Sequence, residues 1–272
     1  IYALADDNVS VGTLFVAGII PGILVAVAMC VVNWQVSKQR NYKGDGATPS
    51  WSEIAATTWK ALPAILLPVL ILGGMRAGWF TPTEASVVAV FYALICGKYI
   101  YRTLNWSAVP DILWRSGLLT ASVLIIIGMS ASFAWVLTIE GVPQAVANWL
   151  TGFQLGPWSF LIAINVLLLL FGIFIEPLPG VMVLVPILAP VAAKLGVDPV
   201  HFAMIVIYNL TLGMITPPVG GLLFVTSNVS RVPMSDLTRE LKPFLWAHGV
   251  VQLILTFIPA LSTWLPQTLG FK

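Results

Sequence analysis

Long runs of chain without a single charged side chain limit what this sequence can become. Uncharged stretches cover residues 8–37, 61–75, 85–97, 116–139, 141–175, 177–193, 199–230 and 243–271. A helix needs about 20 apolar residues to cross roughly 30 Å of hydrocarbon. Stretches 8–37, 116–139 and 243–271 each hold one such span outright. Lys+Arg number 13 and Asp+Glu 11 in 272 residues, so 9% of the chain is charged and 58% is hydrophobic. A soluble domain carries about 25% charge to cover its core. A soluble enzyme, a disordered chain and a nucleic-acid binder are therefore excluded. The runs are continuous rather than short and alternating, which excludes a β-barrel. The expected fold class is an all-α polytopic membrane protein, with the lipid bilayer as its solvent. Cys30 and Cys96 both sit in apolar runs and read as small core residues, not as a disulfide framework. The chain opens on Ile1 without a Met and shows no signal peptide, and it reads as a fragment.

Expected helices are 11–35, 56–75, 83–101, 117–138, 157–175, 180–194, 202–228 and 243–265. Segments 61–75 and 85–97 are short and become spans if Lys60 and Lys98 snorkel to the headgroups. Placing Asp6 and Asp7 outside puts loops 36–57, 98–116 and 229–242 inside. Lys38, Arg40, Lys43, Lys60, Lys98, Arg102, Arg115, Arg231, Arg239 and Lys242 then lie on the inner side. Only Arg76, Lys194 and Lys272 fall outside. The positive-inside rule orients the chain with both ends out.

Two places depart from a plain bundle. Glu176-Pro177-Leu178-Pro179-Gly180 interrupts an apolar pair of segments, and its prolines cannot continue a helix. Segments 157–175 and 180–194 either both cross or form a re-entrant hairpin with its tip near mid-membrane. The hairpin is favoured because the second arm is short, Pro186 and Pro190 interrupt its ladder, and the loop has no Lys or Arg. The second place is Asn209-Leu210-Thr211-Leu212-Gly213-Met214-Ile215-Thr216-Pro217-Pro218-Val219-Gly220. Gly213 can end one half-helix, and Thr216 can cap the next with Pro217 at its first position. The expected result is a discontinuous helix over 202–228, and a Pro-kinked helix without a ligand is the plainer alternative. Unpaired backbone survives at membrane depth only where it is buried or lines a cavity. Free carbonyls suit a hard cation such as Na+, and a positive helix end suits a carboxylate. Secondary transporters build sites in this way.

Other motifs read as structure. Thr81-Pro82-Thr83-Glu84 is a capping box, and Asp198-Pro199 is a helix cap. His201 and His248 have no Cys, His or carboxylate at ligand spacing, so zinc is not expected. Gly128-Met129-Ser130-Ala131-Ser132 lacks the final Gly of a nucleophile loop and suits close helix packing. Segment 142–153, with Val142, Val146, Trp149 and Leu150 on one side, reads as an interfacial helix. Trp34, Trp79, Trp106, Trp158 and Trp264 fit interfacial belts. No reactive constellation of an intramembrane enzyme is present in these motifs.

Gly78-Trp79-Phe80-Thr81-Pro82-Thr83-Glu84-Ala85 resembles the G-x-F-T-P-T-E-A signature of the large membrane subunit of TRAP transporters, the DctM family. The run from Phe171 to Val219 is similar to the second signature of that family. It includes Glu176-Pro177, Pro186, Pro190, the stretch from Gly196 to Phe202, Asn209, Gly213 and Thr216-Pro217-Pro218-Val219-Gly220. Gly18-Ile19-Ile20-Pro21-Gly22 resembles the opening of a mid-chain helix in the same family. The resemblance covers nearly the whole chain.

It implies a membrane subunit of a sodium-coupled, ATP-independent importer of organic acids, such as C4-dicarboxylates or sugar acids. The implied partners are a small membrane subunit of DctQ type and a periplasmic binding protein of DctP type. The location would be a bacterial or archaeal cytoplasmic membrane, with Na+ as coupling ion, no other cofactor and no enzymatic activity. The implied architecture is the second half of an inverted-repeat elevator. Residues 1–116 would supply scaffold and arm helices. Residues 117–272 would hold the interfacial helix, hairpin 157–194, broken helix 202–228 and a final helix. The implied sodium and substrate site joins Glu176, Pro177, Leu178, Pro179 and Gly180 to Asn209, Gly213, Met214, Ile215, Thr216, Pro217, Pro218, Val219 and Gly220. Backbone carbonyls near Gly213, Thr216 and the tip would hold the ion. Glu176 would tune that site or gate it; without the hairpin it is a loop acid on the inner side. An ion channel or passive pore is the alternative reading, and the chain has few charges to line one.

Overall fold

The structure, a computed structural model, describes residues 1–42, 50–141, 145, 148 and 156–271. The expected interfacial helix at 142–153 lies almost wholly outside the described residues. The elements are helical: α1 (Tyr2–Ala5), α2 (Val11–Ala17), α3 (Ile19–Gln39), α4 (Trp51–Arg76), α5 (Pro82–Ile95), α6 (Val109–Ile139), α7 (Pro157–Phe174), α8 (Pro177–Lys194), α9 (Pro199–Gly213), α10 (Gly221–Ser230), α11 (Met234–Phe257) and α12 (Ala260–Thr268). Among the described residues, six helical segments are long and apolar enough to cross a membrane, with α2 and α3 counted as one. The pair α11 and α12, bent by 60°, makes up to a seventh.

The chain divides into two compact units, one of residues 1–36 and 125–272, the other of residues 37–124. In the second unit, Ser50 accepts from Glu53 N at 3.3 Å while Glu53 reaches back to Ser50 N at 2.8 Å, so a capping box opens α4. Thr81 and Glu84 form the expected box at the start of α5. Tyr92 Oη donates to Pro63 O at 2.8 Å and ties α5 to α4. Gly74 is the only buried residue of α4. Trp59, Val69 and Phe91 stay exposed, as suits helices whose outer solvent is lipid.

In the first unit α9 is the central helix. Residues from His201 to Val206, with Asn209, Leu210, Leu212 and Gly213, are buried, so nearly every face of α9 is covered. A helix apolar all round is a core helix. It packs against α7, α8, α11, α2 and α12. Phe160, Leu168, Val185, Leu188, Phe202 and Leu210 carry the core. Asp198 caps α9 by accepting from Val200 N at 2.9 Å and His201 N at 3.0 Å.

Several element boundaries differ from expectation, among them the starts of α4 at Trp51 rather than 56 and of α6 at Val109 rather than 117. The second hairpin arm begins at Pro177, not at Gly180. Proline at the first helical position needs no donor and has a suitable φ, so Pro177 and Pro179 open the helix rather than hold it off. Pro186 and Pro190 each remove one ladder bond, yet α8 runs unbroken to Lys194. The final helix is not one piece from 243 to 265. It starts at Met234 and ends at Phe257, where Ile258 leaves the helical region ahead of Pro259.

Candidate functional site

The expected site residues fall on two neighbouring parts of the first unit. Glu176 is the exposed N-cap residue of α8, and its side chain makes no cap bond. Its carbonyl accepts from Gly180 N at 3.1 Å, which closes the first turn. Pro177, Leu178 and Pro179 are half-buried and Gly180 is buried. A Cβ on Gly180 would stand 3.2 Å from the Leu210 side chain, so the start of α8 rests on α9. Pro177 and Leu178 also line an apolar cavity of about 460 Å³ with Tyr2, Leu14, Met204 and Ile207.

One helical layer away, Gly172 of α7 meets Gly213 at the end of α9. A Cβ on Gly172 would lie 2.9 Å from Leu210 O and 3.2 Å from Gly213 Cα. The two backbones touch because neither residue has a side chain. Gly213 does end the helix, but not through a left-handed turn. Met214 stays in the right-handed region, with φ −60°. Close packing is what requires glycine there.

Beyond Gly213 the chain tightens and then unwinds. Met214 N, Ile215 N and Thr216 N donate to Thr211 O, Leu212 O and Gly213 O, a three-residue spacing. The Thr216 hydroxyl donates back to Leu212 O at 2.8 Å. It therefore does not cap the next helix, and Pro217 is not that helix's first residue. The following helix, α10, starts at Gly221 with Gly220 as N-cap residue. The two prolines supply no N–H, and the peptide between Pro217 and Pro218 is cis. The pieces are thus farther apart than a Thr-cap would put them.

This unwound segment leaves polar backbone outside the helical ladder. Residues 217–219 form a turn, and among the described residues no short backbone hydrogen bond ends on the carbonyls of Ile215, Thr216, Pro217, Pro218 or Val219. At Gly220, φ is +20°, and a Cβ would meet Met214 O at 2.8 Å and Thr216 O at 2.9 Å. Two carbonyl oxygens therefore converge on one small space, which only glycine leaves open. Met214 O also accepts from Leu222 N at 3.1 Å, so the segment folds back onto the start of α10. Converging neutral oxygens are the ligand set of a hard monovalent cation.

Asn209 does not point at this segment through any bond. Its amide donates to Asn165 O at 3.0 Å and Asn165 Oδ1 at 2.7 Å. Asn165, Gln252 and Thr256 complete a buried amide cluster across α7, α9 and α11. His201 Nε2 donates to Thr256 O at 3.2 Å, and Tyr208 Oη is hydrogen-bonded to His248 Nδ1 at 2.6 Å. Sequence reasoning missed Asn165, Gln252 and Thr256. The one available signal was an isolated amide within an apolar run, since polar groups at membrane depth are costly to keep.

Comparison with known proteins finds one family match and several relatives for the chain. The family described as "Tripartite ATP-independent periplasmic transporter, DctM component" matches residues 1–261. The chain is 42% identical, over 100% of its length, to the C4-dicarboxylate TRAP transporter large permease protein DctM of Pseudomonas aeruginosa, of which it covers 63%. It is 38% identical, over 96% of its length, to the sialic acid TRAP transporter large permease protein SiaM of Vibrio cholerae, of which it covers 61%. It is 38% identical, over 93% of its length, to the isethionate TRAP transporter permease protein DctMQ of Oleidesulfovibrio alaskensis, of which it covers 40%. The chain thus spans less than two thirds of each of these three relatives.

Proposed function

Because the chain belongs to the DctM family of tripartite ATP-independent periplasmic transporters, we propose that it forms part of a large permease that imports organic acids on a sodium gradient. The family's members are membrane permeases and not enzymes, and the apolar helices make this chain a multi-pass protein of the bacterial cytoplasmic membrane. The relatives are named for C4-dicarboxylate, sialic acid and isethionate, all of them organic anions. The substrate class proposed here is accordingly a small organic acid. A small membrane subunit of DctQ type and a periplasmic binding protein of DctP type would complete the system.

One observation carries the sodium reading. Five successive carbonyls, from Ile215 to Val219, accept no short backbone hydrogen bond among the described residues, and they follow the Gly172–Gly213 contact directly. Irregular backbone at membrane depth is tolerated where it is buried or lines a water-filled cavity, and such breaks are where transporters hold ions. In this reading α7 and α8 are the arms of a re-entrant hairpin, and its tip at Glu176 to Gly180 closes over the ion. Glu176, exposed at the tip, sits where a carboxylate can respond to the ion's charge.

The test is sodium-dependent protection of that tip. Cys30 and Cys96 are removed from the full-length permease, and Leu178→Cys is introduced in the presence of the partner subunit. Thiol labelling is compared in Na+ and in K+ at equal ionic strength. Slower labelling in Na+ alone is expected. Equal and fast labelling from the cytoplasmic side only would make the tip an ordinary inner loop and end the hairpin reading.

A further inference from the structure

The buried amide cluster of the first unit is out of balance, and the imbalance has a sign. Every amide N–H in it is used. Asn165 Nδ2 donates to Leu161 O at 2.7 Å and Thr256 Oγ1 at 3.0 Å. Both protons of Asn209 Nδ2 go to Asn165, and Gln252 Nε2 donates to Asn165 Oδ1 and to Ile205 O at 3.4 Å. Thr256 gives its hydroxyl proton to Gln252 O at 2.7 Å. The oxygens fare differently. Asn165 Oδ1 accepts twice, while Asn209 Oδ1 and Gln252 Oε1 accept nothing among the described residues. Turning either amide over does not help, because its oxygen would then face Asn165 Oδ1. The donors are spent and two buried acceptors remain.

The side chains concerned are well removed from water: Asn209 is 1% exposed and Gln252 5%. A buried acceptor without a partner is unfavourable, and a low-dielectric setting makes it more so. What two surplus carbonyl oxygens require is a donor or a cation, and no protein donor is left among the described residues to supply the first. They are hard and neutral ligands, which match an alkali cation better than a soft metal. Asn209 also stands about one turn from the carboxyl end of α9 at Gly213, where the helix dipole is negative and favours a cation.

We propose that Asn209 Oδ1 and Gln252 Oε1 ligate one monovalent cation, with Na+ as the probe. This site is separate from the unwound carbonyls of 215–219. It joins α9 to α11 rather than α9 to the hairpin tip. It rests on hydrogen-bond balance and stands whether or not the transport reading holds.

The experiment measures equilibrium binding of radiolabelled sodium to the purified full-length permease with its partner subunit. Gln252→Leu removes one ligand oxygen and is expected to bind one sodium fewer than wild type. Gln252→Glu replaces a neutral oxygen by a carboxylate and is expected to lower the half-saturating sodium concentration about tenfold. Identical stoichiometry and affinity in a folded Gln252→Leu complex would assign the two oxygens to a bound water and overturn the proposal. If Gln252→Leu does not fold, an unchanged half-saturation in Gln252→Glu overturns it. So does a wild type without saturable sodium binding. Loss of one sodium in Gln252→Leu together with sodium-independent labelling at position 178 would support the cluster and sink the hairpin reading alone.

Discussion

Adding one methyl group to Gly172 should pry α7 off α9. An ideal Cβ there lies 2.9 Å from Leu210 O and 3.2 Å from the Cα atoms of Gly213 and Leu210. Carbon atoms prefer contacts of about 3.5–4.0 Å, so α7 must retreat by about half an ångström. The atoms in the way are backbone and cannot rotate aside. Overpacking of this kind costs roughly 1–3 kcal/mol. Alanine returns up to about 1 kcal/mol through its better helix propensity. The net loss for Gly172→Ala is therefore up to about 2 kcal/mol. Gly249→Ala in α11 is the control, because nothing stands within 4 Å of its Cβ. That variant should be neutral or stabilising. Thermal unfolding of the two purified full-length variants, beside wild type, reads the difference. Uptake into proteoliposomes should fall for Gly172→Ala and not for Gly249→Ala. A Gly172→Ala protein that melts above the wild-type temperature would refute the close approach of α7 and α9.

Asn165→Leu should destabilise more than either partner change alone, since it strands Asn209 and Gln252 donors at once. Each stranded group costs about 1–3 kcal/mol, and denaturant or thermal melts against Gln252→Leu will rank them. Asp198→Ala removes an acceptor from two backbone N–H groups at the start of α9. A loss of about 1 kcal/mol is expected, with Asp198→Asn near wild type in the same melt. Thr216→Val deletes the hydroxyl beside the unwound carbonyls and should raise the sodium concentration needed for half-maximal uptake. Unchanged sodium dependence would remove that hydroxyl from the site.

The parts of the fold that read correctly from sequence were those governed by local chemistry. Thr81 and Glu84 form the capping box that T-x-x-E spacing implies, and Asp198 caps α9 as Asp-Pro suggests. The Ser50-to-Glu53 box is equally local, yet it falls inside the loop expected over 36–57, and the helix expected from 56 starts at Trp51. The ends of α7 and α9 fell within a residue of expectation, at Phe174 and near Gly213. What failed depended on how prolines are used. Two at the start of α8 open a helix, and two near 217 belong to the link rather than to the next half-helix. The amide cluster could not be read, because its partners are 44 to 91 residues apart along the chain. Nothing in the sequence around Asn165 says that Thr256 or Asn209 will arrive beside it.

The two halves of the interrupted helix are held very differently, and this bears on where motion can occur. α9 is covered on nearly every side and pinned by hydrogen bonds from Asn209 to α7, from His201 to α11 and from Tyr208 to His248 of α11. Among the described side chains of α10 only Leu223 is buried, while Leu222, Phe224 and Val225 are exposed within this unit. Local opening follows the least-packed element, since few buried contacts oppose it. The carbonyls of 215–219 therefore join a fixed half to a loosely held half. A cation that needs oxygens from this link can hold only the conformation that brings them together. Its binding free energy then biases that conformation by as much as its affinity differs between the open and gathered forms. The same cation would do little in an unbroken helix, where every carbonyl is already spent on the ladder.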